Sequence, residues 1–369
     1  MTGTMQKKLP AGVSIILIVG VLIGVQIFWW KGLVTTGKKG VPQGGGTSVS
    51  GGSNTSIFIG RDDIPVTTIS GDLPPGLEDG TGYNARFDRP TGLAIDLDGS
   101  LLVCDTGNHR IRRVASDGET STVTGSTEGD TDGAALEAKF NSPCGVAVEA
   151  DGSIVIADTG NHKIRQLKQG RVSTLFPKKA VKSMVTAFLP VGIATVNSPA
   201  PSVLVTDVNA SSILTLSAQG AMTSEKRTTT PALAILSSSA VSMAFPRSGD
   251  LTLGDLNLHE PAIEGKLVSG NGNPPAHLTH PIAICAFGSD VFVADKGFGA
   301  IFVVRGGRVE IIAGFCSTSG ATKGYKDTNG SGALFGTICG LAYDGKKTLY
   351  VSDTEHNCIR RLDISNLLK

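Results

Sequence analysis

Short apolar runs ending in aspartate recur along the chain: Leu-Leu-Val-Cys-Asp105, Ile-Val-Ile-Ala-Asp158, Val-Leu-Val-Thr-Asp207, Leu-Thr-Leu-Gly-Asp255, Val-Phe-Val-Ala-Asp295 and Leu-Tyr-Val-Ser-Asp353. The six aspartates lie 40 to 58 residues apart. Upstream of most of them is a second apolar run. These are Pro90-Thr-Gly-Leu-Ala-Ile, Pro143-Cys-Gly-Val-Ala-Val, Pro190-Val-Gly-Ile-Ala-Thr, Pro281-Ile-Ala-Ile-Cys-Ala and Ile338-Cys-Gly-Leu-Ala-Tyr. A third run follows the aspartate, as in Ile111-Arg-Arg-Val and Ile359-Arg-Arg-Leu, and a fourth comes after it, as in Ser121-Thr-Val-Thr and Val309-Glu-Ile-Ile. Runs this short, separated by Asp98-Gly99, Asp151-Gly152 and Asp344-Gly345, read as strands joined by tight hairpins.

Four strands per unit describe a propeller blade, which buries both faces only against its neighbours, so the units must close into a ring. Six aspartates predict an all-β, six-bladed propeller over residues 57–369. The segment Ile64–Gly71 is similar to the fourth-strand segments of other units, and the last unit shows only three strands before Lys369. A strand near 64–71 is therefore expected to complete that unit and latch the ring, removing two free sheet edges. The Asp255 unit matches least well, because it lacks the Pro-x-Gly opening and its spacing is short.

The runs Asp105-Thr-Gly-Asn-His-Arg-Ile-Arg-Arg and Asp158-Thr-Gly-Asn-His-Lys-Ile-Arg resemble the NHL repeat, named for an Asn-His-Leu motif, and Asp353-Thr-Glu-His-Asn-Cys-Ile-Arg-Arg is a variant of it. The segments Ala85–Ile95 and Ala138–Val148 and the stretch Gly324–Phe335 are similar as well. The resemblance implies a six-bladed propeller. Asp and Asn in such turns accept backbone N–H bonds, so Asp105, Asn108, Asp158 and Asn161 are read as structural.

Ahead of the repeats, Ala11 to Trp30 carries no charge and ends in Trp29-Trp30. At about 1.5 Å per residue this run spans about 30 Å of hydrocarbon, which makes residues 11–30 a transmembrane signal anchor, behind a short tail of residues 1–10. Residues 31–56 are rich in glycine and serine and read as a flexible linker. The body is expected on the non-cytosolic side, in the secretory pathway or at the cell surface, where the sequons at Asn54, Asn209 and Asn329 are glycosylation candidates.

With 33 basic and 32 acidic side chains the formal charge is +1, which argues against nucleic acid as a partner. Arg110, Arg112, Arg113, Lys163, Arg165, Arg360 and Arg361 cluster near third strands and are placed toward the outer part of the blades, offset by acidic loops such as Glu128–Asp132. Six cysteines permit disulfides outside the cytosol, with Cys316 and Cys339 the pair to test first. His277 and His280 are the one metal-ligand candidate, and calcium or zinc would be the ion. The sequence itself requires no cofactor. The function expected is a non-catalytic, membrane-tethered module that binds a protein, peptide or glycan through the connections Gly71–Arg89, Gly125–Ser142 and Gly314–Thr337. The alternative is a metal-dependent lyase or hydrolase acting at the mouth of the central channel.

Overall fold

Leu101–Asp105 and Ile154–Asp158 bury every residue. They are continuous apolar runs because a central strand covered on both faces has no solvent side to mark with polar residues. They occupy the second position in sheets of one pattern. The Asp105 blade runs from Pro90–Ile95 at the channel through Leu101–Asp105 and Arg110–Val114 to Glu119–Thr124, with Gly80–Thr81 on the outer edge. The Asp158 blade repeats this with Gly145–Val148, Ile154–Asp158, Lys163–Lys168, Arg171–Phe176 and an outer Gly133–Ala134. The Asp207 sheet has four strands, Pro190–Val196, Ser202–Asp207, Ser212–Ser217 and Met222–Arg227. The computed structural model describes residues 57–177, 188–196, 201–209, 212–227, 236–237, 240–243, 281–287, 290–305, 308–317, 320–321 and 323–368.

The last sheet is assembled from both ends of this body. Pro65–Gly71 pairs antiparallel with Cys358–Asp363, in the register Val66↔Leu362 and Gly71↔Cys358, next to Thr348–Asp353 and Ile338–Tyr343. Inner strands pack side by side in the order Pro90–Ile95, Gly145–Val148, Pro190–Val196, Ala240–Met243, Pro281–Phe287 and Ile338–Tyr343, which returns to Pro90–Ile95.

The described residues form five propeller sheets, which corrects the expectation of six blades. The unit built around Asp255 is the one that does not head a sheet among them, and Asp255 itself lies outside the described residues. Its neighbour Ala240–Met243 takes a place in the ring of inner strands but is hydrogen-bonded to Pro281–Phe287, through Ser242↔Ile284 and Met243↔Ala283. Together with Leu236–Ser237 it extends the Asp295 sheet to six strands. Residues 1–56 lie outside the described residues. Among the described residues no helix is long and apolar enough to cross a membrane.

The core sits in the seams between blades. One cluster joins Leu102, Cys104 and Ile111 of the Asp105 blade to Val146, Ile154 and Ile156 of the next. Another joins Val103 and Val114 to Ala342, Tyr350 and Ile359 of the closing blade. No blade holds its core alone, so stability is a property of neighbouring pairs.

Candidate binding rim

Antiparallel strands in each blade put the aspartate turns and both ends of each blade-to-blade connection at one rim and the Asp-Gly hairpins at the other, while the middle of the connections 71–89 and 125–142 runs along the outer edge to the hairpins at Gly118 and Gly170. The rim is built from the aspartates outward. After Asp105, Thr106–Asn108 makes one 3-10 turn and His109 adopts a left-handed conformation with φ 58°. The Asp105 carboxylate accepts hydrogen bonds from the Asp88 N–H at 2.8 Å, the Asn108 amide at 2.9 Å and Arg112 Nη1 at 2.8 Å. Arg112 is fully buried, its guanidinium lies 5.3 Å from the centre of the Phe87 ring, and its Nη2 donates to the Glu78 carbonyl at 3.0 Å and to Asp79 at 2.5 Å.

The same clamp recurs twice. Arg165 is buried over Phe140 at 5.3 Å and donates to Asp158 at 2.9 Å and, through Nε, to Asp132 at 2.9 Å. Arg360 lies 4.3 Å from the Phe335 ring centre, reaches Asp327 at 2.7 Å and Asp353 at 3.4 Å, and donates to the Lys326 carbonyl at 2.6 Å. Each arginine thus fastens the incoming connection (Glu78–Asp79, Asp132 with Lys139, or Lys326–Asp327) onto its own blade. Asn108 and Asn161 hold the same loops through the carbonyls of Gly76 at 2.6 Å and Gly129 at 2.7 Å.

This corrects the placing of the basic residues: Arg112, Arg165 and Arg360 are interior, and they are not a surface for nucleic acid. The signal for it is in the sequence. In these three units an arginine stands seven residues after the aspartate and a second aspartate stands well before it. The Asp207 and Asp295 sheets carry Leu214 and Phe302 at the arginine position, both buried. Of the remaining basic residues, Arg113 pairs with Asp96 at 2.6 Å and Asp98 at 2.5 Å, and Lys163 with Asp130 at 2.5 Å.

Blades are latched to one another by the residues that follow each aspartate. Thr106 donates to the Pro143 carbonyl at 2.7 Å, Thr159 to Pro190 at 2.7 Å and Thr354 to Pro90 at 2.6 Å, each on the next blade. The left-handed residue adds a second tie. His109 Nδ1 accepts the Ser142 N–H at 3.1 Å, and Asn357 Oδ1 accepts the Arg89 N–H at 2.8 Å. The His of the motif is therefore a seam residue.

Burial pushes the carboxyls of Asp105 and Asp158 up to about 6, against the pull of their N–H and arginine donors. Their folded-state values lie above the ordinary 3.8. Between about pH 4 and pH 6 the folded chain then holds more protons than the unfolded one, and these two groups stabilise it as pH falls. Asp98, Asp151 and Asp363 are held low by their hydrogen-bond partners, so their contribution is lost only at still lower pH. Unfolding free energies from urea titrations taken from pH 7 to pH 5 are expected to rise for the native chain by up to about 1 kcal/mol per pH unit and per group. Asp105→Asn is expected to flatten that slope, and an unchanged slope would contradict the assignment.

Among the described residues seven large apolar side chains are exposed, and five of them (Leu73, Leu77, Tyr83, Leu136 and Tyr325) lie on the three blade-to-blade connections. Tyr325 is tied down by its hydroxyl at 2.9 Å from Thr68 Oγ1 and by ring contact with His356 at 5.2 Å.

Of the other candidates, His277, His280 and Asn54 lie outside the described residues. Among the described residues no group of three or more His, Cys, Asp or Glu converges as a metal site. Asn209 and Asn329 are both exposed. Cys339 is a buried free thiol, as are Cys104, Cys285 and Cys358, while Cys144 is free and half-buried. The side chain of Cys316 lies outside the described residues, and no disulfide with Cys339 is seen. Burial raises the pKa of all five free thiols, which keeps them protonated and unreactive.

Residues 87–114 and 140–167 match the NHL repeat family. Each matched segment runs from the phenylalanine under the buried arginine into the third strand. The chain is 41% identical over 101 residues to NHL repeat-containing protein 2 of Gallus gallus, covering 24% of this chain and 13% of that protein. It is 34% identical over 104 residues to human Teneurin-4, covering 24% of this chain and 4% of that protein. The chain thus spans a small part of the length of the curated relatives it matches. An auxiliary nutrient binding protein from Bacteroides thetaiotaomicron shares the fold, with a TM-score of 0.53 at 15% identity over 82% of this chain and 76% of that one. The NHL motif therefore marks an interior clamp and a seam tie, and the side chains left to face solvent are those of the connections between repeats.

Proposed function

We propose that this chain is a membrane-tethered NHL propeller that binds a protein or peptide, or a glycan carried on one, through the rim of its blade-to-blade connections. Residues 11–30 anchor it, residues 31–56 give it reach, and the propeller stands on the non-cytosolic side, with Asn209 and Asn329 open to glycosylation there. The observation that carries the reading is that most of the exposed large apolar side chains among the described residues lie on connections whose backbones are clamped by the buried arginines. A surface held rigid before contact loses little entropy on binding, and apolar residues on it supply the favourable burial.

The test is proximity labelling from the propeller in the native membrane, comparing the native chain with Leu77→Ser/Leu136→Ser. These side chains are 40% and 62% exposed, so the variant should keep its unfolding midpoint. Labelling of rim partners is expected to fall at least tenfold. Undiminished labelling by a folded variant would move the binding surface elsewhere, and labelling of cytosolic proteins alone would overturn the topology.

A further inference from the structure

On the opposite rim, between the Asp158 and Asp207 blades, a cleft of about 250 Å³ opens beside the Asp151-Gly152 hairpin. It is lined by Glu149, Asp151, Gln166, Lys168, Thr195, Ser202 and Gln219 with small apolar neighbours. It is smaller than the roughly 300–1,000 Å³ of an ordinary small-molecule site. It has room for one long side chain. Its ionisable groups are two carboxylates and one ammonium, and the ammonium is already committed, with Lys168 Nζ 2.7 Å from Asp151. Glu149 is left with an amide, donated by Gln166, as its side-chain partner. Lys168, held by Asp151, acts on Glu149 only through its charge, so this half-buried carboxylate has given up part of its hydration without a cation hydrogen-bonded to it. Burial accordingly holds Glu149 above the usual carboxylate value, and the neighbouring Asp151 acts in the same direction.

We propose that this cleft takes the cationic head of a basic side chain, a guanidinium or alkylammonium group presented by a peptide, with Glu149 as its counter-ion. Gln166, Ser202 and Gln219 line the same cleft as additional hydrogen-bonding groups, and Ala150, Pro201 and Ala218 supply apolar surface for the methylene stem. The site is separate from the rim described above and does not depend on it.

The experiment is titration of the full chain with N-acetyl-arginine amide and with the neutral isostere N-acetyl-citrulline amide, followed by calorimetry. The arginine probe is expected to bind at least tenfold tighter than the citrulline probe. Glu149→Gln should weaken the arginine probe at least tenfold. Lys168→Ala removes the competing cation and should tighten it several-fold. That increase cannot be produced by unfolding, so the second variant decides the matter even if the first is unstable. Equal affinity for the two probes, no binding of the arginine probe at tens of millimolar, or weaker binding by a folded Lys168→Ala chain would each overturn the proposal.

Discussion

Arg165→Ala is expected to destabilise the propeller by about 3–5 kcal/mol, because the substitution strands a buried carboxylate. Asp158 is fully buried, and among the described residues Arg165 is its cationic partner at 2.9 Å. The lost guanidinium also leaves Asp132 and the Phe140 ring without their contact. Arg165→Lys should recover only part of the loss, since a single ammonium cannot serve two carboxylates and stack on a ring at once. The damage should be local. Amide exchange in the connection 125–142 should rise sharply, while the Asp207 sheet, which has Leu214 at this position, should change little. Urea unfolding and residue-resolved exchange check both halves. A loss below about 1 kcal/mol would mean the pair is worth no more than an exposed ion pair.

Gly145→Ala is expected to be the second severe substitution, and for a steric reason. A methyl group on Gly145 would stand 2.1 Å from the carbonyl oxygen of Val191 on the next inner strand. Gly92 and Gly340 are equivalent, with 2.3 Å to the Cys144 oxygen and 2.1 Å to the Thr91 oxygen. The obstacle is backbone, so relief requires the two blades to part, which also strains the Thr159 bond to Pro190 across the same seam. Overpacking of this kind costs about 1–3 kcal/mol or more, and the expected cost of each alanine is at the upper end. Thermal or urea unfolding of the three single variants measures it. The Asp295 sheet already has alanine at this place, Ala283. If Gly145→Ala were neutral, the close approach of inner strands would not be what sets the seam.

The two predictions share a geometry. The three clamped blades, those of Asp353, Asp105 and Asp158, are consecutive around the ring, and Pro65–Gly71 belongs to the first of them. The connections that carry the exposed leucines and tyrosines enter these same blades. The half of the ring with buried arginines is therefore also the half that presents the candidate rim. Rigid support and surface chemistry coincide because one residue type does both jobs: the arginine that neutralises the buried aspartate also grips the loop above it.

Strand periodicity, the aspartate turns and the NHL resemblance were legible in the chain because each depends on residues close together in sequence. Alternation and turn chemistry are local, and the Asp-Thr-Gly-Asn-His run makes its own 3-10 turn. The interior position of Arg112, Arg165 and Arg360 was not legible from charge alone. An arginine on a third strand looks solvent-facing until the acidic residue 33 positions upstream, such as Asp132 for Arg165, is brought beneath it by the fold. The count of blades failed for a related reason. Six aspartates count units, but the described residues form five propeller sheets, because Ala240–Met243 is hydrogen-bonded to the strand after it and joins that sheet. What the residues determine by themselves is which segments form strands and turns. Which charge is buried, which glycine meets a carbonyl and which strand joins which sheet are settled only when distant segments compete for the same hydrogen bonds and the same space.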